Sequence, residues 1–196
     1  PTRRSSDLYN TLDNICALAE LDEKETLIQL VMNLSSFYRS SLSNGKMHIS
    51  IGQELEISRA YLEILQIRYF HKFDFTITCP EALKNYSCIK LLLQPILENS
   101  IYHGIKGLDR HGILHIEAED AGDCIRFTIS DNGRGFSKED YEKIWQQDAD
   151  HFGIKSIQQR ILLYYGPGYG LSMQSPQTGG FITMISLPKQ EGLPCH

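Results

Sequence analysis

The chain of 196 residues and 22.4 kDa is long enough for one sizeable domain and an appended helical segment. Its formal net charge of −5 at pH 7 argues against a nucleic-acid partner, because binding to phosphate requires a concentrated basic face. No apolar run approaches the roughly 20 residues that span a bilayer, and no apolar segment follows the first arginines as a signal peptide requires, so we expect a cytoplasmic domain.

The first forty residues predict an antiparallel helical hairpin. Apolar residues recur at three- and four-residue steps over residues 8–19 and 27–42, and the short polar link ELDEKE suits antiparallel helices. Residues 1–7 are basic, serine-rich and without a pattern, so we expect the first helix to begin at Ser6 or Asp7. Gly45 is expected to end the second helix, and a third is expected over residues 53–70.

From residue 73 the hydrophobic period changes to that of strands. Strands are expected at residues 73–79, 112–120 and 123–131, with two more within 169–188 that are joined by a turn at 178–180. Helices are expected at residues 87–105, 137–145 and 153–166. Within the first of these, Pro95 either removes a backbone hydrogen bond or marks the first turn of a shorter helix. This order predicts an α+β fold, a two-layer sandwich with helices on one face of a mainly antiparallel sheet.

Three polar residues interrupt the apolar segment LENSIYHG. On an α-helix, Asn99 and His103 are four residues apart and share one face, and Glu98 flanks them. Burial without partners would cost about 1–3 kcal/mol for each group. The segment is therefore either a helix that emerges at the surface or part of a binding site.

A predicted strand ends in Asp131 and is followed by Gly133 and Gly135. Because Asp-Asn-Gly is strong turn chemistry, the segment is either a strand-ending turn or a carboxylate at the rim of a pocket, where glycines let the backbone approach a ligand. Gly153 precedes a predicted helix, whose first N–H groups can bind an anion, but any glycine before a helix has this property. The glycine pair in TGGF is usually a tight turn.

The order of these motifs is much more specific than any single one. Asn and His on a helix, then Asp-x-Gly-x-Gly, a glycine before a helix and a glycine turn before a strand resemble the Bergerat-type ATP-binding domain of histidine kinases, heat-shock chaperones and type II topoisomerases. The segments LLLQPILENSIYHGI, DNGRGF, GIKSIQQRILLYYGPGYGLSMQS and MISLP resemble the catalytic domain of sensor histidine kinases of the autolysin-sensor (LytS/YehU-like) family. LYNTLDNI and FYRSSLS resemble the dimerisation helices of the same family.

The resemblance implies roles for the helical motif at the phosphate end of the site. Asn99 would coordinate the Mg²⁺ that bridges the ATP phosphates, and His103 would face those phosphates. Glu98 stands where related proteins place an acid that orients water or metal. Since Mg²⁺ keeps several waters and takes few protein ligands, a single Asn is chemically reasonable.

The resemblance also implies how the base and the lid are formed. Asp131 would accept a hydrogen bond from the adenine amino group, and Gly133 and Gly135 would keep the pocket floor close. Residues 135–153 would form a mobile lid, and Gly153 would bring the start of a helix toward the phosphates.

Three positions depart from the family pattern. His151 stands where many relatives have glycine, Ser156 stands where relatives often carry asparagine, and Phe181 replaces the threonine that usually follows the glycine turn. We expect these departures to affect nucleotide affinity more than the identity of the site.

The resemblance predicts the ATP-binding catalytic portion of a two-component sensor histidine kinase. Such an enzyme transfers the γ-phosphoryl group of ATP to a histidine and then to a response regulator. Dimerisation helices are expected at residues 8–70, the ATP-binding domain at 71–190 and a tail at 191–196. The parent protein is expected to be a homodimer that upstream segments hold in the bacterial cell membrane.

The segment before Leu8 bears on the phosphoacceptor. In the family the acceptor histidine lies in Asn-Pro-His-Phe immediately before Leu-Tyr-Asn-Thr-Leu, whereas here Arg-Ser-Ser-Asp precedes this segment and the first histidine is His48. Residues 1–7 resemble a translated adaptor oligonucleotide, so we expect a non-native prefix, a truncated hairpin and a fragment unable to autophosphorylate. The alternatives are another ATPase of this fold, a serine-directed regulator kinase, or a degenerate nucleotide-binding dimerisation module.

Overall fold

The computed structural model describes residues 3–42, 47–135, 152–176 and 179–191. Two helices come first in the described chain. Helix α1 (Arg3–Glu20) and helix α2 (Lys24–Leu42) pack against each other across a short turn in which Asp22 has a φ of 57°. Both predicted helices are confirmed. However, α1 already begins at Arg3, so positions 6 and 7 lie inside the helix and do not start it. The helix end predicted at Gly45 lies outside the described residues.

A small antiparallel sheet follows, which the sequence pattern did not reveal. Strand β1 (His48–Ser50) pairs with strand β3 (Ser87–Ile89), so the helix predicted over residues 87–105 is wrong in its first part. A short buried strand and a buried helix have the same apolar composition, and periodicity does not separate them. Helix α4 (Gln94–Asn99) carries Pro95 in its first turn, as the shorter-helix alternative predicted.

Helix α3 (Ile51–Arg68) connects the hairpin to the sandwich. A capping box fixes its start: the Gln53 N–H donates to Ser50 Oγ at 3.2 Å, and the Ser50 N–H donates to Gln53 Oε1 at 3.1 Å. One side of α3 packs against α2, where the rings of Phe37 and Tyr61 are 5.6 Å apart. Buried residues of α3 also join the core beneath the sheet. The domain boundary at residue 70 stays a prediction.

The main sheet has five strands in the order β2-β4-β5-β7-β6. The strands are β2 (Phe73–Thr78), β4 (Gly112–Asp120), β5 (Cys124–Asp131), β6 (Gly170–Gln174) and β7 (Phe181–Pro188). Only the β2–β4 pair is parallel among these pairs, so the predicted mainly antiparallel sheet is confirmed. Buried residues alternate along β4, β5 and β7, which places one face of the sheet on the core.

Helices α3, α4 and α5 (Phe152–Tyr165) contribute to the core on the covered side. The helix predicted over residues 137–145 lies outside the described residues. The resulting arrangement is the predicted α+β sandwich. Within the described ranges, no helix combines the length and the apolar character needed to cross a membrane. Fully buried side chains at the centre of the core include Phe73, Phe127, Ile51, Leu62, Leu65, Ile89, Leu92, Leu93, Ile96, Leu97 and Ile101.

Candidate functional site

The helix that carries the polar motif changes its hydrogen-bonding pattern within that motif. Residues Ser100–Ile105 form a π-helix directly after α4, and the Lys106 N–H donates to the carbonyl of Ile101, five residues back, at 2.8 Å. The α-helical spacing on which a shared face of Asn99 and His103 was predicted therefore does not hold here. Since π-helical turns are rare and frequently lie at functional sites, the irregularity itself marks this segment.

Asn99, the last residue of α4, has a buried side chain that is 8% exposed. Its Nδ2 atom has no hydrogen-bond partner in the described part of the chain. Its neighbour Glu98 is half-buried, and its Oε1 atom accepts a hydrogen bond from Gln94 Nε2 at 2.8 Å. A buried amide without a partner requires an explanation, and an awaited ligand is one.

The donor set fits Mg²⁺ better than a transition metal. No group of three His, Cys, Asp or Glu side chains among the described residues could hold a metal ion. Mg²⁺ prefers oxygen ligands and usually binds proteins through one or two side chains together with phosphates and water. The side-chain carbonyl oxygen of Asn99 belongs to this class of oxygen ligands.

Asp131 ends strand β5 and has a carboxyl group that is almost completely buried, with the residue 8% exposed. Its Oδ1 atom accepts a hydrogen bond from the Gly133 N–H at 2.8 Å, whereas Oδ2 is buried without a partner among the described residues. Burial raises the pKa of Asp131, opposed by the Ser100 side chain and the N–H groups of Gly133 and Phe181. The Oδ2 atom can accept one more hydrogen bond from a ligand.

A glycine-to-glycine contact joins the π-helix to the loop after β5. A Cβ atom on Gly133 would lie 2.6 Å from both Asp131 Oδ1 and the Cα of Gly104, so no other residue fits without a shift of the backbone. A Cβ on Gly104 would in turn approach Asp131 Oδ1 to 3.1 Å. The predicted role of Gly133 in a close floor agrees with this packing, although the role itself stays a prediction.

The glycine turn before β7 packs against the loop after β5, and we call Gly104, Gly133, Gly135 and Gly180 together the glycine cluster. The Gly180 N–H donates to the carbonyl of Gly133 at 3.0 Å, and its own carbonyl accepts from Ser175 Oγ at 2.9 Å. Gly180 has a φ of 87°, and a Cβ there would collide with the carbonyl oxygen of Asp131. Gly135 packs against Ser175 and Gly180, so both predicted loop glycines lie in this cluster.

His103 is tied to the same loop through its backbone. The Arg134 guanidinium donates from Nε and Nη2 to the carbonyl of His103 at 3.2 and 3.0 Å, and the Arg134 N–H donates to the carbonyl of Gly104 at 3.3 Å. Sequence reasoning missed Ser100, Gly104 and Arg134. For these residues the sequence offered one signal, the glycine at position 104 beside His103. Its meaning depends on the contact with Asp131, which the sequence does not show.

Gly153 lies in the first turn of α5, away from the glycine cluster. A Cβ there would lie 3.3 Å from Cβ of Pro95 in the first turn of α4, so the two helix starts are neighbours. Of the lid predicted at 135–153, residues 136–151, including His151, lie outside the described residues. The predicted contact of Gly153 with phosphate stays a prediction.

Phe181 carries no hydroxyl, but Thr183, two residues later on the same face of β7, does. Phe181 pairs with Asp131 across the strands, and Thr183 pairs with Ile129. Thr183 is 1% exposed, and its Oγ1 atom has no hydrogen-bond partner in the described ranges. Unpartnered polar atoms therefore occur on α4, β5 and β7.

Comparison with known families shows the family of the chain. Residues 86–191, more than half of the chain, match the model described as "Histidine kinase-, DNA gyrase B-, and HSP90-like ATPase". The chain belongs to this ATPase family. Residues 8–73 match a second model, described as "Histidine kinase". The resemblance deduced from the motifs is confirmed.

Sensor kinases are among the relatives of this chain. It is 30% identical over 181 residues to the sensor histidine kinase YesM of Bacillus subtilis (strain 168), which covers 92% of this chain and 31% of YesM. It is 24% identical over 183 residues to the sensor protein LytS of Staphylococcus epidermidis (strain ATCC 12228 / FDA PCI 1200), covering 90% of this chain and 31% of LytS. The chain thus spans about a third of the length of these relatives.

Solved structures agree on the fold. The nucleotide-free catalytic domain of the histidine kinase ThkA matches with a TM-score of 0.57 at 15% identity, covering 74% of this chain and 97% of that domain. ThkA in complex with the response regulator protein TrrA matches with a TM-score of 0.56 at 15% identity, covering 96% of this chain and 60% of ThkA. At this identity the likeness concerns the fold alone.

Proposed function

We propose that the chain is the ATP-binding catalytic part of a two-component sensor histidine kinase. The observation that carries the proposal is the Asp131 carboxyl group, buried at a glycine-lined floor with one oxygen lacking a partner in the described ranges. Adenine has an exocyclic amine that can donate to this oxygen. The two glycines keep the backbone of residues 104 and 133 close to the Asp131 carboxyl group, so no side chain at these positions would obstruct an adenine base there.

The phosphate end of the nucleotide lies toward α4 in this proposal. In this proposal Asn99 would contribute an oxygen to Mg²⁺, His103 would face the phosphates, and Glu98 would orient water or metal. The metal, when bound, would supply charge neutralisation at the phosphates, which is a main component of catalysis in phosphoryl transfer. The Asn99 side chain is buried, and its Nδ2 atom, which has no partner among the described residues, is a donor suited to a phosphate oxygen, while its Oδ1 atom is the one that would bind the metal. The start of α5 at Gly153 lies against Pro95 at the start of α4, and we propose that Gly153 brings the first turn of α5 toward the phosphates.

The phosphoryl group goes first to a histidine and then to a response regulator in the proposed reaction. In the proposed reaction the acceptor is the histidine of the segment that precedes Leu-Tyr-Asn-Thr-Leu in the family, and in this sequence Arg-Ser-Ser-Asp stands before Leu8. The ThkA structure contains its response regulator TrrA, and a protein of that class is the partner we propose here. Segments outside this chain would anchor the parent in the membrane.

A homodimer through the helical hairpin is part of the proposal. Large apolar side chains on α1 and α2 are exposed in the single chain, which favours a partner on this surface. The exposed residues are Tyr9, Leu12, Ile28, Val31 and Met32.

Calorimetric titration of the chain with ATP tests the proposed function, once with Mg²⁺ and once with a chelator. We expect binding that Mg²⁺ strengthens. γ-Labelled ATP should leave no label on the isolated chain, since no histidine stands in the segment before Leu8. No detectable ATP binding would favour the degenerate module, and rapid release of free phosphate would favour another ATPase of this fold.

A further inference from the structure

Glu54 on α3 is a deeply buried carboxylate with no assigned role, being 1% exposed. Its Oε2 atom accepts the N–H of Leu91 at 2.8 Å, and its Oε1 atom accepts the N–H of Leu93 at 2.9 Å. Burial raises the pKa of Glu54, while N–H groups of residues 91–93 and the charge of Arg160 lower it. A buried carboxylate is costly unless its oxygens are hydrogen-bonded, and here both oxygens hold the backbone of residues 90–93, which we call the 90–93 loop.

Arg160 on α5 holds the 90–93 loop from its carbonyl side. Its Nη1 atom donates to the carbonyl of Leu91 at 3.3 Å, and its Nη2 atom donates to the carbonyl of Lys90 at 2.5 Å. Leu91 itself has a φ of 55°, a left-handed conformation that is unfavourable for a residue with a side chain. The loop therefore keeps its shape because two helices hold its N–H and C=O groups at once.

The 90–93 loop determines where α4 begins. The Leu93 N–H is held by Glu54, and the Leu93 carbonyl accepts the N–H groups of Ile96 and Leu97, both at 3.0 Å. Helix α4 has no side-chain cap of its own. Because this short helix begins on the loop and ends at Asn99, the loop is the support of the Asn99 side chain on its N-terminal side, and the π-helix that follows is its support on the other side.

We propose that Glu54 and Arg160 are positioning residues, which hold the 90–93 loop and so place Asn99 for the metal-bound nucleotide. This inference rests on the proposed function. This role requires that both carboxylate oxygens of Glu54 accept hydrogen bonds. A glutamine at this position would replace one of them with an NH₂ donor that faces a backbone N–H. The carboxylate acts through the loop and α4, not on the nucleotide.

Glu54→Gln tests the proposal, with Glu56→Gln as a matched control. Glu56 lies exposed on the same helix, so its exchange removes the same charge without touching the loop. ATP is titrated calorimetrically with Mg²⁺ and with a chelator. We expect Glu54→Gln to reduce the Mg²⁺-dependent gain in affinity about tenfold, as outer-shell substitutions at metal sites do, with affinity in chelator unchanged. Amide exchange should accelerate over residues 90–99.

The outcomes separate this inference from the proposed function. A wild-type chain that does not bind ATP refutes the proposed function. Wild-type binding together with a folded Glu54→Gln variant whose Mg²⁺-dependent gain is unchanged, or whose affinity falls equally with and without Mg²⁺, overturns the positioning role alone.

A second variant covers the case in which Glu54→Gln fails to fold. Arg160→Gln removes the carbonyl contacts of the loop together with the positive charge near Glu54, and we expect the same selective loss of the Mg²⁺-dependent gain. An unchanged gain there overturns the proposal. In the wild type, ATP with Mg²⁺ should slow amide exchange at Leu91 and Leu93 more than ATP with chelator does, and equal exchange would also overturn it.

Discussion

Replacing Asp131 by asparagine changes one atom of a buried carboxyl group and leaves its shape intact. The carbonyl oxygen of the new amide can keep the hydrogen bond from the Gly133 N–H, which is 2.8 Å long in the wild type. The other oxygen, buried and without a partner in the described ranges, becomes an NH₂ group. If the adenine amine donates to that position, two donors now face each other.

The loss in affinity follows from the charge and burial of this group. A hydrogen bond to a charged partner in a site shielded from water contributes about 1.5–3 kcal/mol, which corresponds to a dissociation constant for ATP raised about 10- to 150-fold. Fold stability should move the other way. Because the folded pKa of Asp131 is raised above 3.8, its ionisation destabilises the fold as pH rises through that folded pKa. Asp131→Asn should therefore have a higher melting temperature than the wild type at pH 7 and lose this advantage below pH 3.8.

The assay compares ATP with inosine triphosphate, whose base has a carbonyl oxygen in place of the amine. The wild type should prefer ATP, and Asp131→Asn should reduce or reverse this preference because its NH₂ group can donate to the carbonyl. Asp123→Asn in the exposed β4–β5 connection, at the far end of β5, removes the same charge and should leave both affinities unchanged. An Asp131→Asn variant with wild-type preference for ATP would refute base recognition by this carboxylate.

Three further predictions concern the metal, the floor and α5. Asn99→Ala should abolish the Mg²⁺-dependent gain in ATP affinity while retaining binding in chelator, as measured by calorimetry. Gly133→Ala should lower the free energy of unfolding by about 1–3 kcal/mol in urea, because its Cβ would lie 2.6 Å from the Cα of Gly104. Tyr165→Phe should lower it by about 1–3 kcal/mol, because Tyr165 Oη accepts the Ile89 N–H at 2.8 Å and that buried donor would lose its partner.

The sequence was sufficient where a strong period extends over a whole element. Residues 112–120 and 124–131 alternate without interruption, and the two strands lie where alternation predicts them. It failed over residues 87–93, which are mostly apolar and show no clear period. Pairing with His48–Ser50, far away in the chain, decides that Ser87–Ile89 is extended, and no local pattern carries that information.

The sequence indicated candidate site residues but not their contacts. Asp131, Gly133 and Asn99 were noticed because polar and glycine residues interrupt or end apolar runs, and the roles predicted for them came from the family resemblance. The π-helical turn after Asn99 was not predictable from an assumed α-helical period. The contacts of Glu54 were not predictable either. Nothing in the sequence distinguishes this glutamate from others in an amphipathic helix, and its two oxygens accept hydrogen bonds from a loop that is distant in the chain.

The two ends of the proposed nucleotide site are built on different supports. Asp131 is fixed by the sheet, where β5 pairs with β4 and β7 on either side. Asn99 lies between two supports. The 90–93 loop before α4 is held by Glu54 from α3 and by Arg160 from α5, and the π-helix after Asn99 contacts Asp131 through the Ser100 side chain. Helix α3 also packs against the hairpin, so the hairpin is joined to the proposed metal ligand through α3 and the loop, while the sheet is joined to it through the π-helix.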